Sequence, residues 1–372
     1  MNKENNKLLE KNEITLEMIK QLPKTDLHVH LDGSLRIPTI LELAEKQKIN
    51  LPTTDPDKLK KILIPGTPEK GARSLEKYLE SFNVTLSVLQ TTDALSRTAY
   101  ELAEDAAAEN VRYMEIRYSP ILHVKKGLRL TQIQDAVWDG LIQAEKDFDI
   151  KTGIIICGMR NIDPDISLTL AELSVAYKNR GVVAFDLAGE EYNYPAKDHQ
   201  DAFFLILRNN INCTLHAGEG YGPDSIHQAI HYCGAHRIGH GVRLKEDGDL
   251  LNYVNDHRIP LEVCLTSNVQ TGAINTLEDH PLRFYFDYGL RVTINTDSRL
   301  VSDTTVSDEL NLAVKNFNFT LQELEMLIIN GFKSTFLPYR EKVKILDKAI
   351  LEMREITKSA VKAREQYVRV SP

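Results

Sequence analysis

Residues 26–31 read DLHVHL, an alternation that puts His28 and His30 on one face of an extended strand and Leu27, Val29 and Leu31 on the other. Seven more short β-rich runs follow, most ending in polar residues: VRYMEIRYS (111–119), GIIICGM (153–159), GVVAFDLAG (181–189), NCTLHAGE (212–219), RIGHG (237–241), PLEVCLTSN (260–268) and RVTINTD (291–297). Several are apolar almost throughout, the pattern of parallel strands covered on both faces. Helical segments lie between them at Leu130–Phe148, Ala196–Asn209 and Asp224–Cys233, the last with Asp224 as its expected N-cap. Eight β–α units joined by right-handed crossovers predict an α/β fold of the TIM-type (β/α)8 barrel class. No Gly-x-Gly-x-x-Gly turn follows the first run, which removes the main signal for an open nucleotide-binding sheet.

Outward from these runs, one gap is long. About eighty residues separate Leu31 from Val111 without a clear strand. Thr53–Gly71 is rich in Pro, Lys and Asp and reads as loop and short helices, whereas Leu75–Leu89 and Ala94–Glu109 read as amphipathic helices. A helical insertion over about 51–110 is expected here, placed to roof the C-terminal face of the barrel. Leu79, Phe82 and Leu86 are its candidate lid residues; the alternative is an apolar stripe packed down on the barrel. Lys333–Arg364 reads as helices closing the outside. All 372 residues fit one domain.

Composition narrows the function classes. The apolar fraction is 42% and the charged fraction 26%, ordinary for a globular protein. A formal net charge of −8 argues against a nucleic-acid or anionic-membrane partner, since both require a basic footprint. Asn2–Glu13 is polar and lacks the apolar core of a signal peptide. Cys157, Cys213, Cys233 and Cys264 form no C-x-x-C pair and read as free core thiols, which points to a reducing cytoplasm.

The chemistry-bearing residues sit at the C-terminal ends of the runs, where barrel enzymes keep their active sites. His28 and His30 end the first, His216 and Glu219 the fifth, His240 the sixth and Asp297 the eighth. His28, His30, His216 and Asp297 make three imidazoles and one carboxylate, a set that suits Zn2+ and also accommodates Fe2+ or Mn2+. His-x-His alone reads equally well as a satisfied pair on a strand; the matching positions of His216 and Asp297 favour a metal. Glu219 is a candidate proton donor beside a metal-activated water, and His240 a candidate to orient or deprotonate that water. The bland alternatives are a surface carboxylate and a capped loop histidine. His227 and His231 stand four apart on a probable helix, but Gln228 occupies the place of the protease-motif Glu, and both read as surface or helix-packing residues. His123, His199, His236, His257 and His280 lack strand-end positions and are given no role. The 218–222 glycine run lacks the Gly-Lys-Ser/Thr ending of a phosphate loop, and no Gly-x-Ser-x-Gly elbow exists.

Taken in order, LHVHLDGS (27–34), EIRYSP (115–120), FDLAGEE (185–191), TLHAGEG (214–220), RIGHG (237–241) and TINTD (293–297) resemble the adenosine deaminase family of the amidohydrolase superfamily. The resemblance spans about residues 25–300. It implies one zinc on His28, His30, His216 and Asp297, and hydrolytic deamination of an adenine nucleoside, adenosine or 2′-deoxyadenosine, in purine salvage. It implies catalytic roles for Glu219, as donor to purine N1, and for His240 and Asp297, which hold the attacking water. His30, Asp32, Gly189 and Ser298 are the expected substrate-facing residues, with Asp32 at the sugar's 5′ end and the Gly189 N–H at N3.

One position departs from the family pattern. Many members carry a second aspartate after Asp297, reaching N7, where this chain has Ser298, whose hydroxyl can also donate. Arg299 next to it is expected to pair with Asp303 or Asp308, or to face an anionic group on a larger substrate such as aminodeoxyfutalosine. Adenine-specific relatives usually have Glu at the place of Asp32, and the shorter side chain leaves room for a ribose. Strand four ends in Leu187-Ala188-Gly189 without the lysine of two-metal relatives, which favours one metal. The His-x-Glu and Cys-x-x-Cys elements of cytidine-type deaminases are missing. A catalytically dead, nucleoside-binding barrel is the non-enzyme alternative, disfavoured by the full set of ligands and Glu219.

Overall fold

The computed structural model describes residues 14–66 and 75–370. Asn2–Glu13, the stretch read as lacking the apolar core of a signal peptide, lies outside them. Eight strands form one sheet in chain order: β1 Lys24–His30, β2 Val111–Tyr118, β3 Lys151–Met159, β4 Val182–Ala188, β5 Asn212–Ala217, β6 Arg237–His240, β7 Leu261–Val263 and β8 Val292–Ile294. Every neighbouring pair is parallel. A parallel bridge from Val29 to Asp297 brings the last strand back to the first. The result is the expected TIM-type barrel with helices between the strands.

Burial follows from this closure. Ile154, Ile155 and Ile156 are all fully buried, although successive side chains of β3 point to opposite faces. One side fills the barrel and the other meets the helical ring, so no strand face is left for polar alternation. The four cysteines are buried and unpaired, as their apolar contexts predict. No described helix is long and apolar enough to cross a membrane.

Between β1 and β2 the chain forms helices at Ile37–Gln47, Pro56–Leu63, Leu75–Glu80, Phe82–Val88 and Thr92–Ala108. The expected single helix over Leu75–Leu89 is broken at Ser81. Thr92–Ala108 packs against Leu130–Asp147 and belongs to the outer ring. Its start is fixed by Thr91, whose side chain accepts the Ala94 N–H. At the other end of the chain, Tyr339–Val370 forms one helix and buries Ala349 and Met353.

Two local expectations are corrected. The helix after β5 starts at Pro223 with Gly222 as N-cap, so Asp224 lies inside the first turn and is not the cap. The run Pro260–Asn268 is strand only over Leu261–Val263; Leu265–Gln270 is a short helix. Its small polar residues Ser267 and Asn268 are buried and bond to Asp297 and His240, so they serve the barrel mouth rather than a sheet ladder.

Candidate active site

Strand alternation delivers His28 and His30 to the barrel mouth, and β5 and the end of β8 bring His216 and Asp297 to meet them. Among the described residues this is the one group of three or more His, Cys, Asp or Glu that can share a metal ion, with all four donor atoms within 4.8 Å of one another. The Nε2 atoms of His28 and His30 each stand 3.1 Å from Nε2 of His216. Asp297 Oδ1 lies 3.5 Å from His28 Nε2 and 3.4 Å from His30 Nε2. Ligands about 2.1 Å from a zinc ion sit about 3.4 Å apart in a tetrahedron, so the spacing fits.

The tautomers support the same fit. His28 Nδ1 faces Glu262 Oε2 at 2.9 Å, and His216 Nδ1 faces Asp186 at 3.0 Å. A carboxylate accepts, so each Nδ1 carries the proton and each Nε2 of the neutral ring presents a lone pair. Lone pairs 3.1 Å apart repel unless a cation lies between them. Burial pushes His28 down to about 4, which keeps it neutral and available as a ligand. Gly239 makes room here: a Cβ at that position would stand 3.0 Å from His28 Cε1.

Beneath the donors lies a fully buried charge network. The Arg117 guanidinium donates to Asp186 at 3.0 Å and to Glu262 at 2.9 Å. Arg237 donates to Glu262 Oε1 at 2.6 Å and also pairs with Glu115. Each buried charge is therefore matched, and the two carboxylates that orient the histidines are themselves oriented.

Glu219 and His240 stand beside the cluster. Glu219 Oε2 is 3.5 Å from His240 Nε2, and Oε1 accepts from Thr271 Oγ1 at 2.9 Å. Burial raises the Glu219 carboxyl above the ordinary glutamate value and so favours its protonated, donating form. The proton on His240 is assigned by a chain of hydrogen bonds. The backbone N–H of Leu282 donates to His280 Nδ1 at 3.0 Å, so His280 carries its proton on Nε2, which faces Asn268 Oδ1 at 3.2 Å. Asn268 Nδ2 then donates to His240 Nδ1 at 3.0 Å, leaving the His240 proton on Nε2, toward Glu219. His280, given no role by its sequence position, thus sets a site tautomer; burial holds it neutral, down to about 3. His240 and Asp297 both have positive φ, +63° and +62°, a strained backbone for side chains of this size.

A cavity of about 470 Å³ opens over the cluster. His30, Asp32, Gly189, His216, Glu219, His240 and Asp297 line it. Tyr78, Leu79, Phe82 and Leu86 of the helices between β1 and β2 line its apolar side. Asp32 is buried with Oδ1 unpartnered, and burial pushes its carboxyl up to about 7.

Two expected residues behave differently. Ser298 is fully buried, is not among the residues lining the cavity, and packs so tightly on Gly33 that a Cβ there would lie 2.3 Å from its Oγ. Arg299 pairs with Glu109 at 2.7 Å, not with Asp303 or Asp308. Asp303 instead pairs with Lys60. The buried Glu109 also caps the helix Val306–Phe317 through the Val306 and Ser307 N–H groups, so Arg299 is a structural ion-pair partner turned from the cavity. The rings of His227 and His231 meet at a tilt of 48° with centroids 4.4 Å apart, and neither belongs to the donor cluster.

Comparison with known proteins agrees with the geometry. A family model described as adenosine deaminase matches residues 23–352. The probable adenosine deaminase of Dictyostelium discoideum is 46% identical over 342 residues, 92% of this chain and 43% of that protein, so the chain spans under half of that relative. The adenosine deaminase of Mycobacterium ulcerans is 41% identical over 353 residues, covering 90% of this chain and 96% of that one. Among solved structures, the adenine deaminase from Arthrobacter aurescens superposes with a TM-score of 0.83 at 28% identity, covering 91% and 99% of the two chains. The N6-mAMP deaminase of Arabidopsis does so with 0.79 at 26%, covering 89% and 99%.

Proposed function

The chain belongs to the adenosine deaminase family, and from that premise we propose a residue-level account of how it deaminates adenosine and 2′-deoxyadenosine by hydrolysis, releasing ammonia and the 6-oxopurine nucleoside. The observation that carries the account is Glu219: a buried carboxyl, biased toward its protonated form, 3.5 Å from His240 and lining the same cavity as His30, His216 and Asp297.

In this reading His28, His30, His216 and Asp297 hold one Zn2+, which when bound lowers the pKa of a water and acts as a Lewis acid. Glu219 gives its proton to purine N1, so the electrons displaced from the C6–N1 bond gain a place to go as water oxygen adds at C6. Of the two water protons, one returns to the Glu219 carboxylate and the other passes to N6, so that the C6–N6 bond breaks with ammonia leaving as the C6=O bond forms. His240 presents Nε2–H to the attacking oxygen, and Asp297 Oδ2, which accepts from Ser267 Oγ at 2.5 Å, is held in one orientation beside it. Gly189, with φ +99° at the cavity wall, brings backbone to the N3 edge. The lid side chains exclude water from the ring.

The unpartnered Asp32 Oδ1 is matched by a ribose hydroxyl, which supports a nucleoside over a free base. Arg299 offers no cation to an anionic 5′ extension, because Glu109 occupies it. This weakens the case for an aminodeoxyfutalosine-type substrate. Four buried free thiols fit a reducing cytoplasm and a place in purine salvage.

The test is a substrate panel of adenosine, 2′-deoxyadenosine, adenine and aminodeoxyfutalosine, followed by ultraviolet absorbance alongside elemental analysis of the active protein. The two nucleosides should turn over fastest, with one zinc per chain. Faster turnover of adenine would overturn the assignment of Asp32 to the sugar.

A further inference from the structure

The turn that carries Glu219 is gripped from both sides by buried charges that take no part in the reaction described above. Glu191, just past the end of β4, is 4% exposed and does not line the substrate cavity. Its carboxylate accepts four consecutive backbone N–H groups: Gly218 at 2.5 Å, Glu219 at 3.0 Å, Gly220 at 2.6 Å and Tyr221 at 3.1 Å. Four converging amides form an anion nest, and each bond is charge-assisted. Arg160, just past the end of β3 and 2% exposed, holds the preceding carbonyl: its Nη2–H donates to His216 O at 2.7 Å and its Nη1–H to Tyr194 O at 2.8 Å.

The turn's own sequence permits the grip. Gly218 takes φ +73°, and a Cβ there would stand 2.5 Å from Ile226 Cδ1, so the reversal that aims the N–H groups at Glu191 requires glycine. The Gly218 carbonyl is also used, accepting from the Arg243 N–H at 3.0 Å. Between His216 and Tyr221 the backbone is therefore fixed on its carbonyl side by a cation and on its N–H side by an anion. Glu219 is left only side-chain torsions, and those are limited by Thr271 and Asn268.

We propose that Glu191 and Arg160 are positioning residues that act on catalysis through Glu219, by locking the backbone from which its carboxyl reaches purine N1. The proposal rests on the assignment of Glu219 as the proton donor. Glu191 is the sharper probe, because Glu191→Gln keeps the size of the side chain but leaves one accepting oxygen and turns an NH2 group against the backbone N–H groups.

The experiment is a double-mutant cycle on the zinc-loaded full chain. Glu191→Gln should lower kcat for adenosine by about 100-fold, the cost of a displacement of about 1 Å. KM should change by less than about threefold and the metal content should stay constant. In a Glu219→Gln background the same substitution should cost less than about threefold, because its target is already gone. Equal losses in both backgrounds would overturn the proposal, as would an unchanged kcat in Glu191→Gln alone. Near-normal turnover by Glu219→Gln itself would instead remove the proton-donor assignment, a separate failure. If thermal melting shows that Glu191→Gln does not fold, Glu191→Asp retains the charge with a shorter reach; a smaller loss that vanishes in the Glu219→Gln background supports the clamp, and one that persists overturns it.

Discussion

The backbone N–H of His30 donates to the carbonyl of Asp297 at 2.6 Å, and the N–H of Asp297 donates to the carbonyl of His28 at 2.8 Å. The bridge that closes the barrel is thus made by residues whose side chains offer metal donor atoms. β8 is only three residues long, so the seam between the last strand and the first has few other ladder bonds to rely on. Closure and metal binding share one structural element.

Metal removal should therefore loosen the seam. A ligand that binds only the folded state at a thousandfold its Kd contributes about 4 kcal/mol. Chelation should lower the Tm by several degrees. Amide exchange should speed up at His30 and Asp297 before it does in β3. Uniform protection after chelation would show that the seam holds without the ion.

Much of this site was legible in the sequence because its residues occupy strand ends in a simple alternation. His28 and His30 declare a shared face at once, and His216, Glu219, His240 and Asp297 follow runs that read as strands. The supporting shell was not read, although it leaves a signal. Arg117, Asp186 and Glu262 interrupt otherwise apolar strands, and a charge on a strand buried from both sides must find a partner. Which partner it finds depends on strands far apart in the chain, as with Arg117 reaching both Asp186 and Glu262. Glu191 gave no such signal, because a glutamate after a strand looks like solvent-facing loop until the N–H groups of another turn surround it. Ser298 follows Asp297 directly yet is fully buried, and the contact with Gly33 that packs against its hydroxyl is invisible in one dimension.

Asp32 is a buried carboxyl whose Oδ1 finds no hydrogen-bond partner in the protein, and the partner proposed for it is a ribose hydroxyl. Leaving a buried polar group unpaired costs about 1–3 kcal/mol. Asp32→Leu, which puts no polar group at that point, should raise the Tm of the substrate-free protein while raising KM for adenosine by about 10-fold, with little change for free adenine. Calorimetry and steady-state kinetics on the same preparation check both halves. A parallel rise in KM for adenine would detach Asp32 from the sugar.

Glu309 ties the short helix after β7 to the barrel wall and makes stability depend on pH. Its carboxylate accepts from Thr266 and from Thr304 Oγ1 at 2.9 Å, yet burial pushes its pKa up from 4.5 to about 7. The folded state therefore holds a proton that the unfolded chain releases. The contribution to stability is complete below about pH 4.5 and is lost as pH rises to about 7. Relative to Glu309→Gln, which does not titrate, the native protein should lose up to about 3 kcal/mol across that window. Urea unfolding of both proteins at pH 4.5, 6 and 8 reads the difference; a flat difference would mean that Glu309 stays ionised in the fold.

His280 offers the most direct check on how His240 is presented to substrate. The chain from Leu282 N–H through His280 and Asn268 leaves the His240 proton on Nε2. His280→Leu removes the donor to Asn268 Oδ1, so the amide is free to turn over and the ring nitrogens of His240 lose their distinction. Nitrogen-15 spectra of histidine-labelled protein, with His240 assigned by substitution, should then show both tautomers, and kcat should fall by about 10–100-fold, the scale of a mispositioned general-acid or hydrogen-bonding group. His280→Gln places an amide N–H near the same point and should restore the Nε2–H form with most of the rate. A merely space-filling histidine would be replaced as well by leucine as by glutamine. Equal rates in the two variants, with an unchanged His240 spectrum, would therefore show that packing and not the proton chain fixes the imidazole.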